Sequence, residues 1–264
     1  MKKPTIIILI IILLLPCMTS CGYIKLYYPK ELTNEYCMQN YCYADPNLNF
    51  LSCDINSADG YSNIEGTSFC FKAIKDVPIE EYLVARHNTI FDKNKYYNVV
   101  KNRAMGLNNL EILTYEIESI EIFKRTAVPQ TDVALRKLGT MCYDEQIALL
   151  TDDQTDAFIE HLKTALETKD YEDRGPKEPD LGLVRYQIEC YCIRVHFSEY
   201  KNLVWDSYIS MQNGTYGIGM YLMNPAYLES EEAKLDLRAQ IFESPWFNIR
   251  IELPEELADL IPES

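Results

Sequence analysis

The chain has 264 residues, with 25 basic and 40 acidic side chains for a formal net charge of −15, and hydrophobic residues at 47% against charged ones at 25%. That length is ample for a packed core, and the composition excludes a disordered or low-complexity chain. So acidic a balance, with no basic cluster to offset it, repels phosphate backbones and excludes nucleic acid as a partner.

In chain order, Lys2 and Lys3 precede an unbroken apolar run from Ile6 to Leu15, followed by Met18, Thr19, Ser20 and Cys21. The run makes about 15 Å of helix against a hydrocarbon core of about 30 Å, too short for a permanent span, so it reads as a cleaved export signal. An apolar residue, two small ones and a cysteine resemble the processing site of bacterial lipoprotein signal peptides, with Met18 where Leu is usual. The resemblance covers residues 1–22. It implies removal of residues 1–20, lipidation of Cys21, and attachment to the cell membrane on the side facing away from the cytoplasm. Cys17 is the competing position, but Pro16 before it is neither small nor flexible.

Residues 21–49 are rich in Tyr and Asn with little periodicity and read as a lipidated tether. A small cysteine-containing α+β region is expected over 50–111. Within it, 49–55 and 67–74 read as strands around Asp59-Gly60, and Val77-Pro78 starts a short helix through about Arg86. With Cys17 and Cys21 set aside, Cys37, Cys42, Cys53, Cys70, Cys142, Cys190 and Cys192 remain. Cys37, Cys42, Cys53 and Cys70 crowd together and are candidates for disulfides in an oxidising exterior. Zinc is a rival for them, although only Cys37 and Cys42 approach the close spacing it needs, and free buried thiols are the other alternative.

The same region holds a candidate calcium loop. Asp54, Asn56, Asp59, Asn63 and Glu65 supply oxygens at near-alternate positions, with Gly60 to turn the chain sharply, because a hard cation wants six to eight oxygens around it. Ala58 acts as one extra residue in that spacing, and a plain Asp-Gly hairpin turn is the alternative. No other cofactor is expected.

Residues 112–225 read as a strand–helix–meander domain. A strand over 116–125 needs a bulge for Ile117, Ile120, Ile122 and Phe123 to share a face. Thr151 with Gln154 forms a capping box opening a helix to Glu167, whose Phe158, Leu162 and Leu166 form an inner stripe. Residues 169–180, with Gly175, Pro176 and Pro179, read as a surface loop. Strands over 183–197, 203–212 and 215–223 follow, the last two joined by the Asn213-Gly214 hairpin signal and the last ended by Asn224-Pro225. Residues 226–264 read as an extension: a helix over 226–240, a strand over 246–253 and a helix over 254–261. The fold class is α+β, mainly antiparallel, with the C-terminal-half meander covered by one amphipathic helix and short helices added. The stripe is expected on the meander face bearing Tyr191, Ile193, Val195 and Phe197.

Cys190, Cys192 and His196 alternate onto the opposite face, but at about 3.3 Å per residue His196 falls about 13 Å beyond Cys192, too far to share an ion with it. Ser198 and Lys201 have S-x-x-K spacing in a hairpin turn, where that motif needs a helix start. Gly217 and Gly219 share a strand face, which calls for a close approach there or an edge. These readings lead to a lipid-anchored interaction or accessory module without catalytic activity, with an envelope protein or glycan as partner. An envelope hydrolase whose site is assembled from distant residues is the alternative, and a solute-binding lipoprotein fits less well, because those resemble paired α/β lobes.

Overall fold

The structure, a computed structural model, describes residues 34–51, 62–64, 67–89, 96–106, 110–127, 142–176, 189–224 and 246–262. Cys21 and residues 226–240 lie outside the described residues, as do Asp54, Asn56, Asp59 and Glu65 of the candidate calcium loop and Cys53.

Among the described residues, two antiparallel sheets form the frame. The smaller runs in the order β1 (Tyr41–Tyr43), β6 (Tyr96–Asn102), β5 (Tyr82–Thr89), β4 (Thr67–Ala73), β3 (Ser62–Ile64). The larger runs β8 (Cys142–Leu149), β7 (Ile117–Ala127), β10 (Glu189–Phe197), β11 (Leu203–Gln212), β12 (Thr215–Met223), β13 (Trp246–Glu252), β9 (Glu172–Pro176), with β2 (Leu48–Phe50) also paired to β11. The α-helices among the described residues are α1 (Asn34–Asn40), α2 (Glu111–Thr114), α3 (Asp152–Thr168) and α4 (Glu255–Ala258). The chain is thus α+β, with the antiparallel meander β10–β11–β12 in its C-terminal half.

The meander follows from local chemistry. Asn213 and Gly214 both adopt positive φ, 53° and 84°, the backbone a two-residue primed hairpin turn requires, and they join Gln212 directly to Thr215. Helix α3 is equally local in origin. The Thr151 N–H donates to Gln154 Oε1 at 3.0 Å, the Gln154 N–H donates back to Thr151 Oγ1 at 3.3 Å, and Lys169 ends the helix with φ of 59°. Phe158, Leu162 and Ala165 then bury in one cluster with Ile193, Val195 and Phe197, and Leu166 and Tyr191 pack at its margin. His161 adds a tether by donating from Nε2 to the Glu252 carbonyl at 2.7 Å.

Several expectations are corrected by tertiary packing. Residues 34–49, expected within a tether, are folded into the core: Cys37, Met38, Tyr41, Ala44 and Leu48 are all buried. The helix expected from Pro78 is instead a turn leading into β5. There Tyr82 and Val84 bury in the main core while Leu83 and Ala85 bury against α1, so two-sided burial favours an extended chain over a helix with one wet face. The strand near residue 50 pairs with β11 rather than with Thr67–Ala73. Part of the loop over 169–180 is strand β9, held at the edge beside β13, with Gly175 at a φ of 84°. In β7 the bulge falls at Glu118, because Phe197 faces Ile117 while His196 faces Ser119. A second irregularity lies between Ile122 and Phe123 against β8, and Phe123 faces outward, away from Ile120 and Ile122.

Candidate functional site

Alternation along the strands sends one set of side chains out of the large sheet. From β7 these are Glu121, Phe123 and Arg125, from β8 Asp144, from β10 Cys190, Cys192, Arg194 and His196, and from β11 Asp206 and Tyr208. Register then makes rows of them. Arg125 faces Asp144 on one side and Cys190 on the other, Cys192 lies between Phe123 and Tyr208, and Arg194 lies between Glu121 and Asp206.

The charges interlock. Arg194 forks onto Asp206, with Nε donating to Oδ1 at 2.7 Å and Nη2 to Oδ2 at 2.9 Å, and its Nη2 also reaches Asp144 Oδ2 at 3.3 Å. Arg125 forks onto Asp144 at 2.9 and 3.0 Å. Both guanidinium groups lie over the Phe123 ring, at 5.0 Å for Arg125 and 4.4 Å for Arg194. Bidentate geometry of this kind sets orientation as well as charge, and the ring beneath adds a cation–π attraction. His196 joins the array through Glu121 Oε1 at 3.2 Å, not through the cysteines.

The electrostatics follow from these contacts. The His196 hydrogen bond, helped by Arg194, holds Glu121 below the usual carboxylate range. Partial burial works against ionisation of Asp144, but the Arg125 fork outweighs it and holds that carboxyl low as well. Beneath the arginines, Phe123, Cys190 and Cys192 form a small buried cluster of their own, with the two sulfur atoms 3.8 Å apart. Tyr208 stands beside it, 49% exposed.

A second polar cluster joins the two sheets. Asp45 takes the Asn47 N–H on Oδ1 at 2.9 Å and the Trp205 indole N–H on Oδ2 at 3.0 Å. Asn47 Nδ2 donates to the carbonyls of Asp206 and Gly219, at 2.8 and 3.2 Å, where β2 takes the place of β12 alongside β11. Lys101 and Glu111 make a fully buried ion pair at 2.9 Å. Burial, reinforced by the nearby Glu111 charge, pushes the Asp45 carboxyl up to about 7. An open groove along α2 and α3 is lined by Ile112, Tyr115, Ile159, Glu160 and Lys163.

Cys37 and Cys42 are free, buried thiols. Cys37 sits in the cluster beneath the small sheet, whereas Cys42 Sγ approaches the Lys101 carbonyl at 3.6 Å, and burial pushes both thiols up, to about 12 and about 11. Cys70 lies on β4, and Asn63 of the candidate calcium loop lies on β3, paired in register with Ser68. Ser198 and Lys201 are exposed in the turn between β10 and β11. The close approach expected at the glycine face is Arg250, whose guanidinium lies across Gly217.

Of this outer face, the alternation of Cys190, Cys192 and His196 is legible in the sequence. Glu121, Arg125, Asp144, Arg194 and Asp206 also recur at strand period, but which of them meet depends on register between distant strands. Comparison with protein-family models, curated proteins and solved structures finds no match to this chain.

Proposed function

We propose that the protein is a lipid-anchored lipoprotein facing away from the cytoplasm, held by Cys21, and that it serves as a non-catalytic interaction or accessory module for an envelope protein. The Lys2–Lys3, Ile6–Leu15 and Met18–Cys21 pattern supports the anchor. The observation that carries the module is the outer face of the large sheet. It sets exposed Tyr208 beside two arginines whose side chains are already ordered by Asp144 and Asp206. Tyrosine and arginine are the side chains most enriched where proteins meet, and groups that are already ordered lose less entropy on binding.

Two measurements test the two parts separately. Cys21→Ser should abolish incorporation of labelled palmitate and release the protein from the membrane fraction, whereas Cys17→Ser should do neither. Label persisting in the Cys21 variant would reject the anchor. A photo-cross-linking residue at Tyr208 should give one discrete protein adduct in intact cells, and the same residue at exposed Glu160 of α3 should give none. Equal labelling from both positions, or none from Tyr208, would reject the face as the interaction surface.

A further inference from the structure

We propose that Cys190 and Cys192 are a redox-active dithiol, converted by thiol–disulfide exchange with an external disulfide into a disulfide within strand β10. The two sulfur atoms face the same side of the sheet, 3.8 Å apart and in mutual hydrogen-bond contact. Alternate residues of a strand have Cα atoms separated by about 6.6 Å, near the upper end of the range that disulfides span, about 4.4 to 6.8 Å. Bridging them therefore needs side-chain rotation and only slight deepening of the pleat. The product is strained, and strained disulfides are the readily reduced, reversible ones.

The surroundings assign a different role to each sulfur. Cys190 is 8% exposed and faces Arg125 across the strand pair, while Cys192 is 1% exposed beneath the arginines. A hydrogen bond from Cys192, assisted by the Arg125 charge, lowers the Cys190 thiol, and the same contact pushes Cys192 up. Thiolate, not thiol, is the nucleophile. The Cys190 thiolate attacks one sulfur of the external disulfide, forming a mixed disulfide and expelling one thiolate. Cys192 gives its proton to that thiolate, and its sulfur then attacks Cys190 and expels the second. The balance is one external disulfide reduced to two thiols and two protein thiols oxidised to one disulfide. Cys37 and Cys42, whose thiols burial pushes up, serve as internal controls.

The test exposes the purified full chain at pH 7 to oxidised glutathione, quenches with acid, unfolds the protein, alkylates every remaining thiol and weighs the peptides. The peptide carrying Cys190 and Cys192 should take no alkyl group and be lighter by two hydrogen atoms, while Cys37 and Cys42 should be fully alkylated. Cys192→Ser should trap glutathione on Cys190, and native Cys190 should alkylate at least about tenfold faster than Cys37. Cys190 and Cys192 both fully alkylated after exposure, or either joined to a third cysteine, would overturn the proposal. That reading comes from the unmutated chain, so it stands even where the Ser variant fails to fold.

Discussion

Replacing Gly217 with alanine places a methyl group where the Arg250 guanidinium now lies. The added Cβ would stand 2.6 Å from Arg250 Cζ and 2.7 Å from its Nε. Carbon atoms in ordinary contact are about 3.5 to 4 Å apart, so the guanidinium has to retreat by about 1 Å. Arg250 is only 3% exposed, and its Nη2 donates to the Thr215 carbonyl at 2.7 Å, so it has little room in which to retreat. Losing that hydrogen bond from a charged donor costs about 1.5 to 3 kcal/mol, and the smaller conformational freedom of alanine in the unfolded chain offsets about 0.4 to 1 kcal/mol. The net expectation is a loss of about 0.5 to 2.6 kcal/mol. Urea unfolding followed by tryptophan fluorescence reads it, because Trp205 and Trp246, the two tryptophans of the chain, are both buried. The midpoint should fall at constant slope. In an Arg250→Met background the flexible thioether yields to the methyl, so the same substitution should cost less than about 0.5 kcal/mol. An unchanged midpoint for Gly217→Ala alone, or an equal loss in both backgrounds, would refute the packing of Arg250 on Gly217.

Leu162→Ala, at a fully buried position beneath the meander, should destabilise by about 2 to 5 kcal/mol, and a loss under about 0.5 kcal/mol would remove α3 from the core. Asp45 sets a pH dependence whose sign is the reverse of that for a salt-bridged carboxylate. With its carboxyl raised from the ordinary 3.8 to about 7, the folded chain keeps a proton that the unfolded chain has lost, so stability falls as pH rises through that window and then levels off. Asp45→Asn should flatten the profile between pH 4 and pH 7, a wild-type profile already flat there being the contrary result. Calcium binding by Asp54, Asn56, Asp59, Asn63 and Glu65 is proposed from the sequence alone. Calcium but not magnesium should then raise the melting temperature, by up to about 2.7 kcal/mol of stability at a hundredfold excess over the dissociation constant, and Asp59→Ala should remove the gain. Identical melting curves in calcium and in chelator would leave those residues as a turn.

The parts of this fold legible in the sequence are those whose causes lie within a few residues of one another. The capping box at Thr151 and Gln154, the stripe of Phe158 and Leu162, and the Asn213-Gly214 turn each specify local geometry through short-range hydrogen bonds, spacing or allowed φ. They carried α3, β11, β12 and their hairpin, and the period-two alternation in β10 placed Cys190 and Cys192 on the face opposite Ile193 and Val195.

What the tertiary structure alone decided is which strands are neighbours and what lies on each side of them. Pro78 and its flanking acids carry the local signature of a helix start, yet residues from Tyr82 onward become a strand because separate clusters bury both of its faces. Asp45 and Asn47 become the joint between the sheets through distant partners, Trp205 for Asp45, 160 positions away, and the Asp206 and Gly219 carbonyls for Asn47. The Arg125, Arg194, Asp144 and Asp206 array arises in the same way. Each charge is an ordinary outward strand residue by itself, and cross-strand register between β8, β7, β10 and β11 brings them within hydrogen-bond reach. Short-range order is encoded where it occurs, whereas register and burial emerge only when distant segments pack together.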